Sequence, residues 1–110
     1  MIVERDWGYY IVLLEGNGYL VKELTIKPGK CLSNQRHQHR KEEWLVVSGS
    51  INVVLQTDRA LERSLVFHEG DKLTIPKKMW HHVGNLRDED AKIIEVWIGD
   101  ILDEEDIERR

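Results

Sequence analysis

Turn-forming residues divide this chain into segments too short for most helices. Glycine, proline and asparagine recur between apolar stretches, at positions 16–18, 28–29 and 49 among others. Between two of these turns, residues 19–26 alternate, so that Leu20, Lys22, Leu24 and Ile26 share one face. This period of two is typical of a β-strand, whereas an amphipathic helix repeats every 3.6 residues. About eight or more such short segments, with little helix, predict an all-β sandwich or barrel.

The turns and the alternation give approximate bounds for each element. We expect strands over residues 9–14, 19–26, 30–39, 43–48, 50–56, 64–68, 72–75, 81–85 and 92–98. Residues 57–63 are too charged for the core and are predicted to form a hairpin loop. Near the end, Asp103 can cap a short helical turn over 104–109, which predicts a helical C-terminal tail.

The composition fits one globular domain spanning residues 1–110, with 41% hydrophobic and 33% charged side chains. The net charge of -4 argues against nonspecific nucleic-acid binding, which needs a basic face. The single cysteine, Cys31, rules out an internal disulfide and is expected to be a small buried side chain. No apolar run reaches transmembrane length and no signal peptide opens the chain, so we expect a cytoplasmic protein without a membrane partner.

A histidine-rich stretch carries the strongest chemical signal. If it is a strand, His37 and His39 share a face, and their ring nitrogens can point to one position. A carboxylate from the next strand can reach the same position. Its spacing to Gly49 favours Glu42, but Glu43 stays an alternative because alternation across a turn is not fixed by sequence.

A second cluster follows the turn at Pro76. His81 would begin a strand and supply a third imidazole, while His82 lies on the opposite face and is the alternative. Imidazoles combined with a carboxylate suit a divalent ion, with zinc favoured over manganese, iron, nickel or cobalt. Such a set leaves coordination positions for water or substrate. The sequence therefore predicts one divalent metal ion.

Together the two clusters resemble the paired motifs of the cupin superfamily. The likeness runs nearly end to end and is strongest to the C-terminal cupin domain of type II mannose-6-phosphate isomerases, which also carry mannose-1-phosphate guanylyltransferase activity. The residues that carry it are Arg5, Trp7, Gly8, Tyr10, Gly16, Gly18, Lys22, Pro28, Gly29, Leu32, Ser33, Gln35, His37, His39, Arg40, Glu42, Trp44, 46–49, Ile75, Pro76, Trp80, His81, Asn85, 94–96, Gly99, Asp100 and 104–107. The resemblance implies a double-stranded β-helix, the jelly-roll cupin barrel. It also implies one divalent metal ion held by His37, His39, Glu42 and His81.

The resemblance further implies conversion of mannose 6-phosphate to fructose 6-phosphate through a cis-enediol. The metal would act as a Lewis acid, and a nearby base would move a proton between adjacent carbons. Glu95 is the candidate base, because a carboxyl in the middle of an apolar strand has a raised pKa; the alternative is a carboxylate satisfied by a cation such as Arg5 or Lys22. Lys22 is a second catalytic candidate if its face lines the pocket. The candidate substrate-binding residues are Ser33, Gln35, Arg40, Trp44, Asn85 and Trp97.

Two departures from the family pattern bear on activity. Trp97 stands where the family usually has glutamine, on the face of Glu95, and would narrow the pocket; Lys78 replaces the usual glycine after Pro76. The resemblance does not include the guanylyltransferase part, so no guanylyl transfer is expected from these residues. The alternatives to a sugar-phosphate isomerase are a non-catalytic cupin that binds a sugar or metabolite and an iron-dependent oxidative cupin. Because an uncovered strand edge invites pairing, we also expect a homodimer.

Overall fold

A computed structural model, which describes residues 1–56 and 62–110, shows a chain built from antiparallel strands. Within those residues there are eleven strands and no helix. The strands are β1 (Ile2–Arg5), β2 (Gly8–Gly16), β3 (Tyr19–Ile26), β4 (Gln35–Arg36), β5 (Arg40–Ser48), β6 (Ser50–Gln56), β7 (Glu62–His68), β8 (Lys72–Ile75), β9 (Trp80–Gly84), β10 (Ala91–Gly99) and β11 (Glu108–Arg109).

The strands form two sheets, and the order of strands in each differs from their order in the sequence. One sheet runs β1-β2-β3-β10-β5-β8 and the other β11-β4-β9-β6-β7. The late strand β10 thus lies between β3 and β5, and β9 lies between β4 and β6. These crossovers between two facing sheets give the jelly-roll arrangement, and the predicted all-β fold class is confirmed.

The space between the sheets is apolar at one end and polar at the other. Buried side chains from both sheets form the apolar part: Ile26, Trp44, Val46, Ile51, Val53, Ile75, Val83, Ala91 and Ile93. Along β10, the inward row passes from Ile93 to Glu95, and Glu95 is paired in register with Lys22 of β3 and Trp44 of β5. Both Lys22 and Glu95 are buried. The same alternation that builds the core therefore also points polar groups inward at the other end.

Gly49 makes the corner where the chain leaves the first sheet for the second. It separates β5 from β6 and has a φ of 76°, in the left-handed region that glycine favours. A Cβ at this position would lie 2.7 Å from the carbonyl oxygen of Asp90. Glycine is needed here both for the turn and for the close approach of a neighbouring loop.

Several local expectations are wrong. The predicted strand over 30–39 is mostly irregular, containing only β4 and an isolated bridge between Cys31 and Gly84, and Cys31 is exposed. The helical tail is absent: Asp103 accepts a hydrogen bond from the N–H of Glu105 in a single turn, after which the chain enters β11. The reason is that tertiary pairing with β4 replaces the local bonds of a helix.

The predicted loop over 57–63 is only partly covered by the structure. Residues 57–61 lie outside the described residues, while Glu62 and Arg63 belong to β7. Among the residues that the structure does describe, none belongs to a helix capable of crossing a membrane.

Candidate functional site

Three buried side chains converge at the polar end of the sandwich. His37 follows β4, Glu42 lies in β5 and His81 in β9, and one ligand atom from each lies within 4.8 Å of the others. Each of the three residues is at most 3% exposed. Two imidazoles and a carboxylate form a donor set that suits a borderline divalent ion such as Zn²⁺.

Both imidazoles are held with the same nitrogen facing the cluster. The Nδ1 of His37 lies 2.7 Å from the carbonyl oxygen of Asp106, and the Nδ1 of His81 lies 3.0 Å from that of Met79. A carbonyl only accepts, so each Nδ1 carries the proton and each Nε2 keeps its lone pair. Fixing the tautomer through a backbone carbonyl is how proteins orient histidine ligands of metals, and the residues therefore fit a divalent ion.

Arg40 is the fourth buried group in this cluster. Its Nε donates to Glu42 Oε2 at 2.8 Å, while Trp44 Nε1 donates to Oε1 at 2.9 Å. The Nη2 of Arg40 also lies 3.2 Å from Nε2 of His37, and its guanidinium carbon lies 3.3 Å from the ring centroid of Trp97. A bound ion and this guanidinium would compete for the single lone pair of His37 Nε2, so holding an ion here would require Arg40 to give up this contact.

His39 does not join the cluster, contrary to the sequence prediction. Its side chain is exposed, because the chain bends at residues 38 and 39 instead of continuing as a strand. The carboxylate of Asp106 accepts the backbone N–H groups of Gln38 and His39, both at 2.9 Å, and holds that bend. Although partial burial raises the pKa of Asp106, these two hydrogen bonds lower it below the ordinary value. The bend turns the His39 ring outward and the Arg40 side chain inward.

The turn after Pro76 also holds His37. The N–H of Lys78 donates to the carbonyl oxygen of His37 at 2.7 Å. Lys78 has a φ of 67°, which explains why a glycine at this place would be easier to accommodate. The alternative ligands Glu43 and His82 both lie outside the cluster. The Glu43 carboxylate points away from it and accepts from Thr74 Oγ1. His82, the neighbour of His81, is only half-buried.

The charged groups of the cluster are the Glu42 carboxylate and the Arg40 guanidinium, whereas the two imidazoles are neutral. Burial is the main cause that lowers the pKa of His37 to about 4, and burial likewise lowers that of His81, although Glu42 opposes both shifts. Burial alone would raise the pKa of Glu42, but His81, Arg40 and His37 together lower it. At neutral pH, both imidazoles are therefore neutral and able to bind a metal.

Glu95 lies beside the cluster on β10. Burial, followed by the neighbouring charge of Glu42, raises the pKa of Glu95 to about 8. Trp97 Nε1 donates to Glu95 Oε1 at 3.1 Å. Lys22, the register partner of Glu95, lies with its Nζ 4.0 Å from the ring centroid of Trp97. Trp97 thus holds Glu95 by a hydrogen bond and packs against Lys22, on the face that alternation along the strand predicted.

A cavity of about 200 Å³ opens from this polar end. Most predicted site residues line it: Lys22, Ser33, Gln35, Arg40, Glu42, Trp44, His81, Glu95 and Trp97. Asn85 does not, and its predicted substrate role is wrong. It is fully buried, with Nδ2 donating to the carbonyl oxygens of Ile26 and Glu89 and Oδ1 accepting from the N–H of Arg87. Its amide is used to join backbone segments.

Sequence reasoning missed the part played by the C-terminal segment. Asp106 fixes the bend, and Glu104, which lines the cavity, contacts Lys22. It also underrated Gln35. Gln35 lies two residues before His37, is the register partner of His81 and lines the same cavity, so its side chain lies on the face of the cluster. The sequence signal for Gln35 was its position two residues before His37, the spacing that puts two strand residues on the same face.

Comparison with known proteins identifies the family. Residues 1–110 match the family described as Mannose-6-phosphate isomerase C-terminal. The chain belongs to this family. It is 39% identical over 107 residues to the alginate biosynthesis protein AlgA of Pseudomonas fluorescens, covering 97% of this chain and 21% of the relative. It is 37% identical over 107 residues to the mannose-1-phosphate guanylyltransferase of Escherichia coli, with the same coverage. The chain thus spans about a fifth of the length of these relatives.

Solved structures support the fold independently of close sequence similarity. The capsular polysaccharide assembling protein CapF of Staphylococcus aureus superposes with a TM-score of 0.85 at 21% identity, covering 99% of this chain and 33% of CapF. An oxalate decarboxylase of Lactobacillus farciminis gives a TM-score of 0.87 at 21% identity, covering 99% and 33%. At this identity the likeness establishes the cupin fold and nothing about the reaction.

Proposed function

We propose that this domain is a metal-dependent isomerase that interconverts mannose 6-phosphate and fructose 6-phosphate. One observation carries the proposal: Glu42 and His81, two of the three convergent metal donors, line the same cavity as Glu95, a carboxyl whose pKa is raised to about 8. Aldose–ketose isomerisation needs both a Lewis acid at the sugar oxygens and a group that moves a proton between two carbons. Membership in the mannose-6-phosphate isomerase family supports the choice of sugar.

The residues that would hold the ion are His37, Glu42 and His81, with the amide oxygen of Gln35 as a fourth ligand. When bound, a divalent ion supplies Lewis-acid polarisation of the sugar carbonyl and hydroxyl oxygens. His39, which the family resemblance implies as a ligand, does not belong to this set because its ring is exposed. The backbone carbonyls of Asp106 and Met79 accept from the Nδ1 groups of His37 and His81 and orient both rings without an ion.

Glu95 is the group that we assign to proton transfer. Trp97 binds its Oε1, which leaves Oε2 to take a proton from one sugar carbon and return it to the next. A carboxyl with a pKa of about 8 exchanges protons readily at neutral pH, because neither form is strongly favoured. The flanking rings of Trp44 and Trp97 limit the entry of water and offer flat faces to a sugar.

The test is conversion of fructose 6-phosphate by the purified domain, monitored through the NMR signals of the two sugars. The reaction is measured with zinc, manganese or cobalt added, and again after all metal has been removed with a chelator. We expect turnover only with a metal ion present. Glu95→Gln keeps the shape of the side chain but cannot accept the proton, so we expect a loss of about a hundredfold or more in kcat. Glu43→Gln, on the outer face of the neighbouring strand, is the matched control and is expected to retain activity. Turnover in Glu95→Gln equal to wild type would contradict the assignment.

One observation favours a second function, a cupin that binds a sugar or metabolite without turning it over. Arg40 contacts both Glu42 and the Nε2 lone pair of His37, and Trp97 fills space beside Glu95. If the guanidinium keeps the ion out, a ligand can still bind in the cavity. The discriminating result is a mannose 6-phosphate-dependent rise in melting temperature without zinc binding by calorimetry and without conversion of substrate.

We also propose that the domain forms a homodimer through its β1 edge. Strand β1 is the edge of its sheet, and the neighbouring side chains Ile2, Val12, Leu13 and Leu14 are all exposed. A second copy would cover both the free edge and these apolar groups. Light scattering should then give a mass of twice 13.0 kDa, whereas a mass of 13.0 kDa would contradict the proposal.

A further inference from the structure

The C-terminal segment closes part of the cavity mouth with one of its own carboxylates. We call residues 103–110 the C-terminal strap. Its middle is held by the hydrogen bonds of Asp106 to the bend at residues 38 and 39, and its C-terminal end by the pairing of β11 with β4. Its near end places Glu104 Oε1 2.5 Å from the Nζ of Lys22. The strap therefore brings an acidic side chain to the mouth while being anchored elsewhere.

Lys22 is a buried cation, and such a group needs a counter-charge. It is 4% exposed, and its Nζ lies 4.0 Å from the ring centroids of both Tyr10 and Trp97. The two rings stabilise the ammonium through cation–π contacts but leave its hydrogen-bonding capacity unfilled. A carboxylate supplied by the strap fills it.

The Glu104 carboxylate contacts Lys22 from the solvent side. Its side chain is 57% exposed and comes from a turn rather than from a strand. Besides Lys22, its Oε1 is bonded by the hydroxyl of Tyr10 at 3.4 Å. Burial, and then the nearby Glu104, raise the pKa of Tyr10, so this hydroxyl stays a donor at neutral pH. Moving this exposed carboxylate into solvent disrupts no strand.

Displacing Glu104 would leave three cationic side chains lining one cavity. Arg5 lies with its guanidinium carbon 5.5 Å from the Tyr10 ring centroid, and Arg5, Lys22 and Arg109 all line the same cavity. A phosphate group has more acceptor oxygens than a carboxylate and a second negative charge near neutral pH. It would satisfy Lys22 and Tyr10 and also attract the two guanidinium groups.

We propose that Lys22, Tyr10 and Arg5 form a binding site for a phosphate group, and that Glu104 occupies this site as an internal competitor in the free protein. The inference deepens the proposed function, because it gives the phosphate of a sugar phosphate its own place at the cavity mouth, next to Glu95. It also changes the role of Lys22 from a catalytic candidate to the residue that anchors the anionic end of the substrate. Glu104 then sets how tightly that end is held.

The test measures phosphate binding to metal-free protein, so it does not depend on turnover or on metal loading. Inorganic phosphate is titrated at constant ionic strength with excess chelator, and its affinity is read from NMR shifts of backbone amides. Glu104→Gln removes the competing charge, and we expect phosphate to bind about tenfold more tightly than to wild type. Glu105→Gln makes the same charge change one residue away, where the carboxylate is exposed, and should stay within about twofold of wild type.

Two further variants distinguish this site from a general increase in positive charge. Glu104→Gln combined with Lys22→Met should lose the added affinity, and Tyr10→Phe, which keeps the ring against Lys22, should weaken phosphate binding in the Glu104→Gln background. Acetate and unphosphorylated mannose should bind the Glu104→Gln variant far less tightly than phosphate. Equal affinities for the Glu104→Gln and Glu105→Gln variants, or equal binding of acetate and phosphate, would overturn the proposal. If the domain shows this binding pattern but no isomerase activity, the phosphate site is supported and the proposed isomerase reaction is contradicted.

Discussion

The two pairs of histidines in this molecule are positioned in different ways. His81 and His82 are neighbours on β9, so their side chains point to opposite faces and only the His81 ring reaches the cavity. His37 and His39 are two residues apart and would share a face in a strand, yet only His37 is buried. Here the backbone bends, and the Asp106 carboxylate holds it by accepting two N–H groups.

The difference shows that His81 is positioned by sheet geometry, whereas His37 is positioned by hydrogen bonds from other segments, chiefly those of Asp106 in the C-terminal strap. Pairing of β9 with β6 fixes His81 through a continuous ladder. The position of His37 instead depends on the strap, since both its ring and the following bend are bonded to Asp106. Loss of the strap should therefore disturb one ligand and spare the other.

The largest effect should come from removing either inward ring. His37→Ala or His81→Ala deletes one of the two imidazole donors, and we expect zinc affinity to fall by about a thousandfold or more, since the remaining imidazole, carboxylate and amide hold the ion poorly. His39→Ala and His82→Ala remove the outer member of each pair and serve as matched controls, with affinity expected to stay near that of wild type. Calorimetric titration of zinc into the chelator-treated protein measures all four. A comparable loss in His39→Ala would show that its ring turns inward in the metal-bound protein.

The same contrast explains what sequence alone could predict. Where strands are continuous, as in β3 and β10, alternation correctly grouped Lys22 with Leu20, Leu24 and Ile26, and Glu95 with Trp97, and all of these side chains are buried. Where the chain leaves the ladder, between β4 and β5, the alternation rule failed and put His39 on the face of Gln35 and His37, whereas its ring is exposed. The bend depends on Asp106, 67 residues from His39 in sequence, and no local pattern announces such a contact.

The second effect concerns acid stability of the metal-free protein. The pKa of His37 is about 4 in the folded state and ordinarily 6.5, so the unfolded chain takes up the proton first. Its contribution to stability is complete above pH 6.5 and is lost as the pH falls towards 4, by about 3 kcal/mol. We expect the difference in the free energy of unfolding between wild type and His37→Gln, measured by denaturant unfolding across this pH range, to decrease by that amount. His39→Ala should follow the wild-type curve, and a His37→Gln curve parallel to wild type would contradict the prediction.

A smaller effect should follow from loosening the bend itself. Asp106→Ala leaves the N–H groups of Gln38 and His39 without their carboxylate but keeps every metal ligand. Because orientation of a ligand is lost rather than the ligand, we expect zinc affinity to fall by about tenfold to a hundredfold. Asp100→Ala, an exposed position just after β10, makes the same charge change and should leave affinity unaltered. If Asp106→Ala binds zinc as wild type does, the strap does not position His37.

The smallest effect tests whether alternation still operates at β4. Gln35 is the register partner of His81 and lies two residues before His37, on the same face. Replacing its amide by an imidazole in Gln35→His should strengthen zinc binding by about tenfold, because nitrogen ligands suit this ion better than an amide oxygen does. Arg36→His places the new ring one residue on, on the opposite face, and should add nothing. The ring at position 35 must reach the same ion as His37 and His81. A gain in zinc affinity in Gln35→His alone would therefore show that β4 and β9 present their ligands to one ion. Equal gains in Gln35→His and Arg36→His would show that this short strand does not hold its register.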